Sequence, residues 1–225
     1  QFQPSMTYQL PLGQQAFERY LGMELHVIFH ARLLMFVLIH GLAESSFRYI
    51  STYQANYLWQ TLFLWGAFLA LYAAARRRLG VAAALLAPLL AAAYIPWGFF
   101  VVGYRIAYPY DLPAIFFCAS GLLAIVANRY WALAALIAIG TLNKETMAWL
   151  IPAYCFYQPR DARFARETLW RTAALAAIFG VAYETPRLWA SMWEFGRPIW
   201  LAAQTSTEGP DGCAVSFAKL NALEF

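Results

Sequence analysis

Two long apolar runs with three arginines between them constrain this chain more than any other feature. Tyr57 to Ala75 and Val81 to Val102 carry no formal charge, and Arg76-Arg77-Arg78 stands between them. A helix rises about 1.5 Å per residue, so about 20 apolar residues cross the ~30 Å of hydrocarbon in a bilayer. The rest of the chain agrees: 62% of residues are hydrophobic and 12% charged, against about a quarter charged in soluble domains. The sequence therefore predicts an integral membrane protein with an all-α fold, a polytopic transmembrane helix bundle. Nine Trp and fourteen Tyr fit rings parked at two membrane interfaces.

The same composition excludes other classes. A net charge of +4 gives no basis for nucleic-acid binding. Cys118 and Cys155 fall in apolar spans and Cys213 in a terminal loop, a spacing that makes neither a disulfide framework nor a zinc motif. Gln1 to Gln15 lacks the charged start and apolar run of a signal peptide, and the chain reads as an excerpt of a longer one.

Charge placement then sets a topology. The positive-inside rule puts Arg76-Arg77-Arg78 in the cytoplasm. Val81 to Val102 runs outward, Tyr104 to Asp111 lies outside, and Leu112 to Ala127 returns to Asn128-Arg129 inside. Residues 131–157 are readable as one long span or as a hairpin. The hairpin, Trp131 to Leu142 out and Met147 to Tyr157 back, keeps Arg160, Arg163, Arg166 and Arg171 inside and is preferred. Twelve helical residues cover only about 18 Å, so the turn has to dip into a protein-lined, wet cavity. Leu169 to Tyr183 crosses outward again, and Trp189, Trp193 and Trp200 suggest a separate interfacial helix. With the short hairpin this makes about six passes. Three regions result: 1–56, an outer-face loop with interfacial or re-entrant helices; 57–185, the transmembrane bundle; and 186–225, an outer-face interfacial helix and tail.

Residues 24–44 are apolar but interrupted by His26, His30, Arg32 and His40, so an interfacial or re-entrant helix and a crossing both stay open. His26, His30, His40 and Glu44 fall within about an 80° arc of a helix. The two i, i+4 pairs lie about 15 Å apart along the axis and cannot share one metal ion, so the stripe reads as hydrogen-bonding groups facing headgroups or a polar cavity.

Two polar islands carry the chemistry: Tyr104 to Pro113 and Asn143-Lys144-Glu145-Thr146. On this topology Arg105, Asp111, Lys144 and Glu145 meet on the outer face. Intramembrane charge costs at least a few kcal/mol unless paired or wetted, so a Lys144–Glu145 pair reads as a site. Arg105 and Lys144 suit a phosphate, while Asp111 or Glu145 suits a base or a divalent metal ligand. Structural roles compete. Asp111, two residues before Pro113, is expected to cap a helix. Glu145 is favoured by the dipole of the following helix. Tyr104, Tyr108 and Tyr110 suit interface anchors, with Tyr108 and Tyr110 kept as candidate substrate contacts.

Three segments carry a resemblance over roughly residues 25 to 160: Phe29-His30-Ala31-Arg32-Leu33-Leu34, Tyr108-Pro109-Tyr110-Asp111-Leu112-Pro113, and Thr141-Leu142-Asn143-Lys144-Glu145-Thr146 with Pro152. In order and spacing they resemble bacterial polytopic membrane proteins related to the GT-C glycosyltransferases. The resemblance implies an enzyme of the bacterial cytoplasmic (inner) membrane that takes a sugar from a polyprenyl-phosphate carrier at the outer face. It also implies that residues 24–44 form outer-loop helices, and that an acidic residue of the first outer loop is catalytic. Glu18 and Glu24 are the acids available there, and Glu24 joins Asp111 as a catalytic candidate, with Lys144 and Arg105 as phosphate ligands. The competing class is a non-catalytic integral membrane subunit that packs against other membrane proteins. A transporter is the third reading, and no internal repeat supports it.

Overall fold

The structure is a computed structural model that describes residues 33–46, 49–96 and 110–195, and among these all regular structure is helical. The elements are α1 (Leu33–Ser45), α2 (Thr52–Arg76), α3 (Val81–Pro96), α4 (Asp111–Val126), α5 (Tyr130–Thr141), a 3-10 turn (Glu145–Trp149), α6 (Leu150–Tyr157), α7 (Arg160–Arg163) and α8 (Arg166–Phe195). The all-α expectation holds.

Helix α2 begins more than a turn before the expected Tyr57 because Ser51 closes a capping box. The Gln54 amide donates to Ser51 Oγ at 3.2 Å, and the Ser51 amide donates to Gln54 Oε1 at 2.9 Å. These bonds satisfy donors that a helix N-terminus otherwise leaves orphaned. Gln54–Arg76 is the one segment among the described residues that is long and apolar enough to cross a membrane; α1, α4, α5 and Val81–Tyr94 of α3 are apolar but shorter. Its surface is inverted relative to a soluble helix. Leu58, Leu62, Trp65 and Leu69 form an exposed apolar stripe, while Asn56 and Gln60 are buried and bonded to each other at 3.2 Å.

The core lies where α2 and α4 meet and where α5 and α6 pack on α4, with α8 laid against α5 and α6. Small residues set the first contact: Ala67 and Ala70 pack against Ala119, and a Cβ on Gly66 would stand 2.7 Å from the Phe116 ring. Phe63, Phe116 and Phe117 stack around this contact, with ring centroids 5.2 to 5.8 Å apart. Helix α4 stops at Asn128, whose φ of 53° is left-handed, while the Arg129 amide bonds back to the Ala124 carbonyl. Asn tolerates that conformation at a helix end better than most residues.

Residues 131–157 form a hairpin. Tyr130 at the start of α5 faces Tyr154 near the end of α6, with ring centroids 5.9 Å apart. At the opposite end Gly140 lies against Met147, where a Cβ would stand 2.7 Å from the sulfur. The two limbs are therefore antiparallel. Pro152 is the third residue of α6, where its missing amide is one of the orphans anyway. The backbone turns extended at Gln158, as expected before Pro159.

Polar residues separate toward the two ends of the bundle. At one end Arg78 bonds the Tyr157 hydroxyl, Arg163 donates to the Phe156 carbonyl at 2.7 Å, and Arg171 lies over Tyr130. The other end carries Ser51, Tyr110, Asp111 and the Leu142–Lys144 turn. Helix α1 packs there: the Leu34 amide donates to the Leu142 carbonyl at 3.1 Å, and the Trp59 indole donates to the Leu38 carbonyl at 2.9 Å.

One boundary differs from expectation. The sequence predicts a span ending at Tyr183 and a distinct interfacial helix after it. Instead α8 is continuous from Arg166 to Phe195, through Pro186. A proline removes one hydrogen bond and crowds the preceding turn, but need not end a helix whose neighbouring bonds hold. Trp200 lies outside the described residues.

Candidate functional site

The site is built where α5 ends. Its last carbonyls are satisfied locally: Thr141 Oγ1 donates to the Ile137 carbonyl at 2.6 Å, and the Asn143 and Lys144 amides both donate to the Gly140 carbonyl. Lys144 then turns extended, with φ −160° and ψ 140°, and the 3-10 turn starts at Glu145. That break aims consecutive side chains, Asn143 and Lys144, at the first turn of α4.

Asn143 is fully buried, and its Nδ2 donates to the Tyr110 carbonyl at 2.8 Å. Its Oδ1 is buried with no hydrogen-bond partner among the described residues, an acceptor whose desolvation costs roughly 1–3 kcal/mol. Lys144 Nζ stands 2.9 Å from Asp111 Oδ1, with the side chains 26% and 12% exposed. The same ammonium lies over the Tyr110 ring, 5.4 Å from its centroid, within cation–π range. Two islands 33 residues apart are thus joined by a hydrogen bond, an ion pair and a ring contact.

Three expectations about these residues change. Asp111 is not the helix cap: Tyr110 holds that position without a side-chain bond, and Asp111 is the first helical residue. The positive dipole end favours its carboxylate there, and the carboxylate reaches Lys144. The ion pair of Lys144 is with Asp111 rather than the Glu145 expected from sequence, because the extended backbone at Lys144 directs its side chain toward α4. Tyr110 is 4% exposed, so its ring lies beneath the Lys144 ammonium rather than at an interface as an anchor.

Glu145 is half-buried at the start of the 3-10 turn. Glu24, Arg105 and Tyr108 lie outside the described residues, as do His26 and His30. His40 is within them, its ring 4.6 Å from that of Phe36 and its Nε2 buried without a partner among the described residues. Asn143 is the residue that sequence reasoning passed over as a site residue. The available signal was an amide directly before a lysine inside an apolar stretch, where burial demands a partner.

Among the described residues no three His, Cys, Asp or Glu side chains gather closely enough to hold a metal ion. At Asp111 the Lys144 ammonium already engages one carboxylate oxygen, Oδ1. Chemically, the pair offers a partly exposed cation and a carboxylate that neutralise each other.

The chain matches no protein-family model, no curated protein and no solved structure.

Proposed function

We propose that this chain is a polytopic membrane protein of glycosyltransferase type that handles a polyprenyl-phosphate-linked sugar at the outer face of a bacterial cytoplasmic membrane. The observation that carries the reading is the Asp111–Lys144 pair, 2.9 Å apart, at the bundle end opposite the arginines. The inverted surface of α2 supports a lipid surround, since exposed leucines with a buried Asn–Gln bond are stable in hydrocarbon and costly in water. With arginines cytoplasmic, Lys144 and Asp111 face outward. Helix α5 covers only about 18 Å, so the turn carrying Lys144 sits in a recess below the surface.

In this reading Lys144 passes from Asp111 to the phosphate of the donor. The anomeric C–O bond to phosphate breaks, the acceptor oxygen bonds the anomeric carbon, and the freed Asp111 carboxylate takes the acceptor's proton. The ammonium balances the charge left on the departing phosphate.

A second reading is a non-catalytic membrane subunit. The mutual neutralisation of Asp111 and Lys144 favours it, since a pair that only locks two segments needs no ligand. The double variant Asp111→Asn/Lys144→Met separates the two readings, because it removes both charges and keeps the volume. For an enzyme, sugar transfer in reconstituted membranes falls by about a hundredfold and polyprenyl-phosphate binding weakens with it. Transfer and binding left undiminished in the variant would remove the pair from the reaction, and a parent chain with neither activity that still copurifies with a membrane complex would hold the subunit role.

A further inference from the structure

The arginine end carries a feature that the proposed reaction does not use. Between the α4–α5 turn and the start of α8 lies an open groove of about 860 Å³, lined by Arg129, Tyr130, Trp131, Trp170 and Arg171 among others. Trp131 is 80% and Trp170 66% exposed. Tyr130 is held in place by its hydroxyl, which donates to the Arg171 carbonyl at 3.1 Å, and by edge-on contact with Trp131 at 5.3 Å. The left-handed Asn128 places Arg129 at the mouth, where its side chain makes no hydrogen bond or ion pair among the described residues. The Arg171 guanidinium lies over the Tyr130 ring at 5.4 Å and pairs with Glu167 at 2.5 Å. Two arginines against one glutamate leave the groove with one net positive charge.

Such a groove is half cationic and half aromatic. Water alone would disfavour two exposed indoles, and a protein surface would not need them beside an unpaired guanidinium. A bilayer interface supplies both needs, because indole rings settle at headgroup depth and arginines attract anionic lipid. Guanidinium also bonds phosphate through two parallel N–H donors. We infer that this groove binds the phosphate of one anionic phospholipid of the cytoplasmic leaflet, with Arg129 as the principal ligand, Arg171 as the second, and Trp131 and Trp170 against the glycerol and upper acyl chains.

The inference rests on the arginine end being cytoplasmic and is independent of sugar transfer. The test is native mass spectrometry of the full chain, purified in detergent and supplied with phosphatidylglycerol or phosphatidylcholine. Phosphatidylglycerol should be retained several-fold over phosphatidylcholine, and Arg129→Gln should reduce its retention about five-fold. Trp131→Ala, which leaves all charges in place, should also weaken it. Equal retention of the two lipids overturns the inference, as does an Arg129→Gln protein that binds like the parent. Displacement of the lipid by millimolar inorganic phosphate also overturns it, by assigning the groove to a soluble anion. Labelling that places Arg129→Cys outside the cell overturns the inference together with the topology, whatever lipid is bound.

Discussion

Lys144→Ala should destabilise the protein by about 1–3 kcal/mol, measured as the shift in its unfolding transition in mixed micelles. Removing one partner of a fully buried ion pair costs about 3–5 kcal/mol, because the other charge is stranded. An exposed pair is worth about 1 kcal/mol at most. Asp111 is 12% and Lys144 26% exposed, which puts this pair between the two limits. The Asp111→Asn/Lys144→Met double variant should recover most of the loss, since it leaves no stranded charge and keeps the volume. Asn143 continues to hold the Tyr110 carbonyl in that variant. A Lys144→Ala protein that unfolds like the parent would mean that the pair does not join α4 to the α5–α6 turn.

Valine at Gly140 should be one of the two most damaging single changes outside the charged pair. A Cβ there would stand 2.7 Å from the Met147 sulfur, 2.9 Å from its Cγ and 3.0 Å from Phe117 Cγ. Methionine can swing away, but Phe117 is buried in the main cluster with Ile137 and Met147 and has no free volume to enter. Overpacking of this kind costs about 1–3 kcal/mol, and the added branches of valine put Gly140→Val at the upper end. Gly121→Val should follow closely, because a Cβ at Gly121 meets the branched end of Leu150. Gly180→Ala is the control: nothing lies within 4 Å of its added Cβ, so its unfolding transition should move little. Equal shifts for Gly140→Val and Gly180→Ala would mean that the 3-10 turn does not pack on α4 and α5 as described.

Much of this arrangement was legible in the sequence, and the physical reason is charge. The arginines at 160, 163, 166 and 171 argued for a turn at Asn143 to Thr146, and the helix does break there, with Tyr130 returned to Tyr154. The interrupted hydrophobicity before Glu44 left an interfacial or re-entrant helix and a crossing both open, and α1 packs at the Lys144 end against the first turns of α2. Side-chain partners were not legible. Whether Lys144 meets Glu145 or Asp111 depends on one extended residue at the end of α5, which no hydropathy pattern encodes. The role of Asn143 depends on the Tyr110 carbonyl, a backbone group invisible to any reading of side-chain types. The boundary expected after Tyr183 is absent for a related reason: the tryptophans mark a change of surroundings along the chain, while continuation of α8 through Pro186 depends on the backbone bonds around it.

The central claim is that the Asp111–Lys144 site and the arginine end face opposite sides of a membrane. Cysteine labelling tests it most directly, in a protein whose Cys118, Cys155 and Cys213 are replaced by alanine. Tyr49 is 90% and Trp149 73% exposed toward the Lys144 end, and Arg77 and Asp161 are exposed at the other. A membrane-impermeant maleimide added to intact cells should label Tyr49→Cys and Trp149→Cys. Arg77→Cys and Asp161→Cys should react only after the membrane is opened. Labelling of Asp161→Cys in intact cells together with Trp149→Cys would contradict the account, because the two ends of α6 would then lie on one side of the membrane.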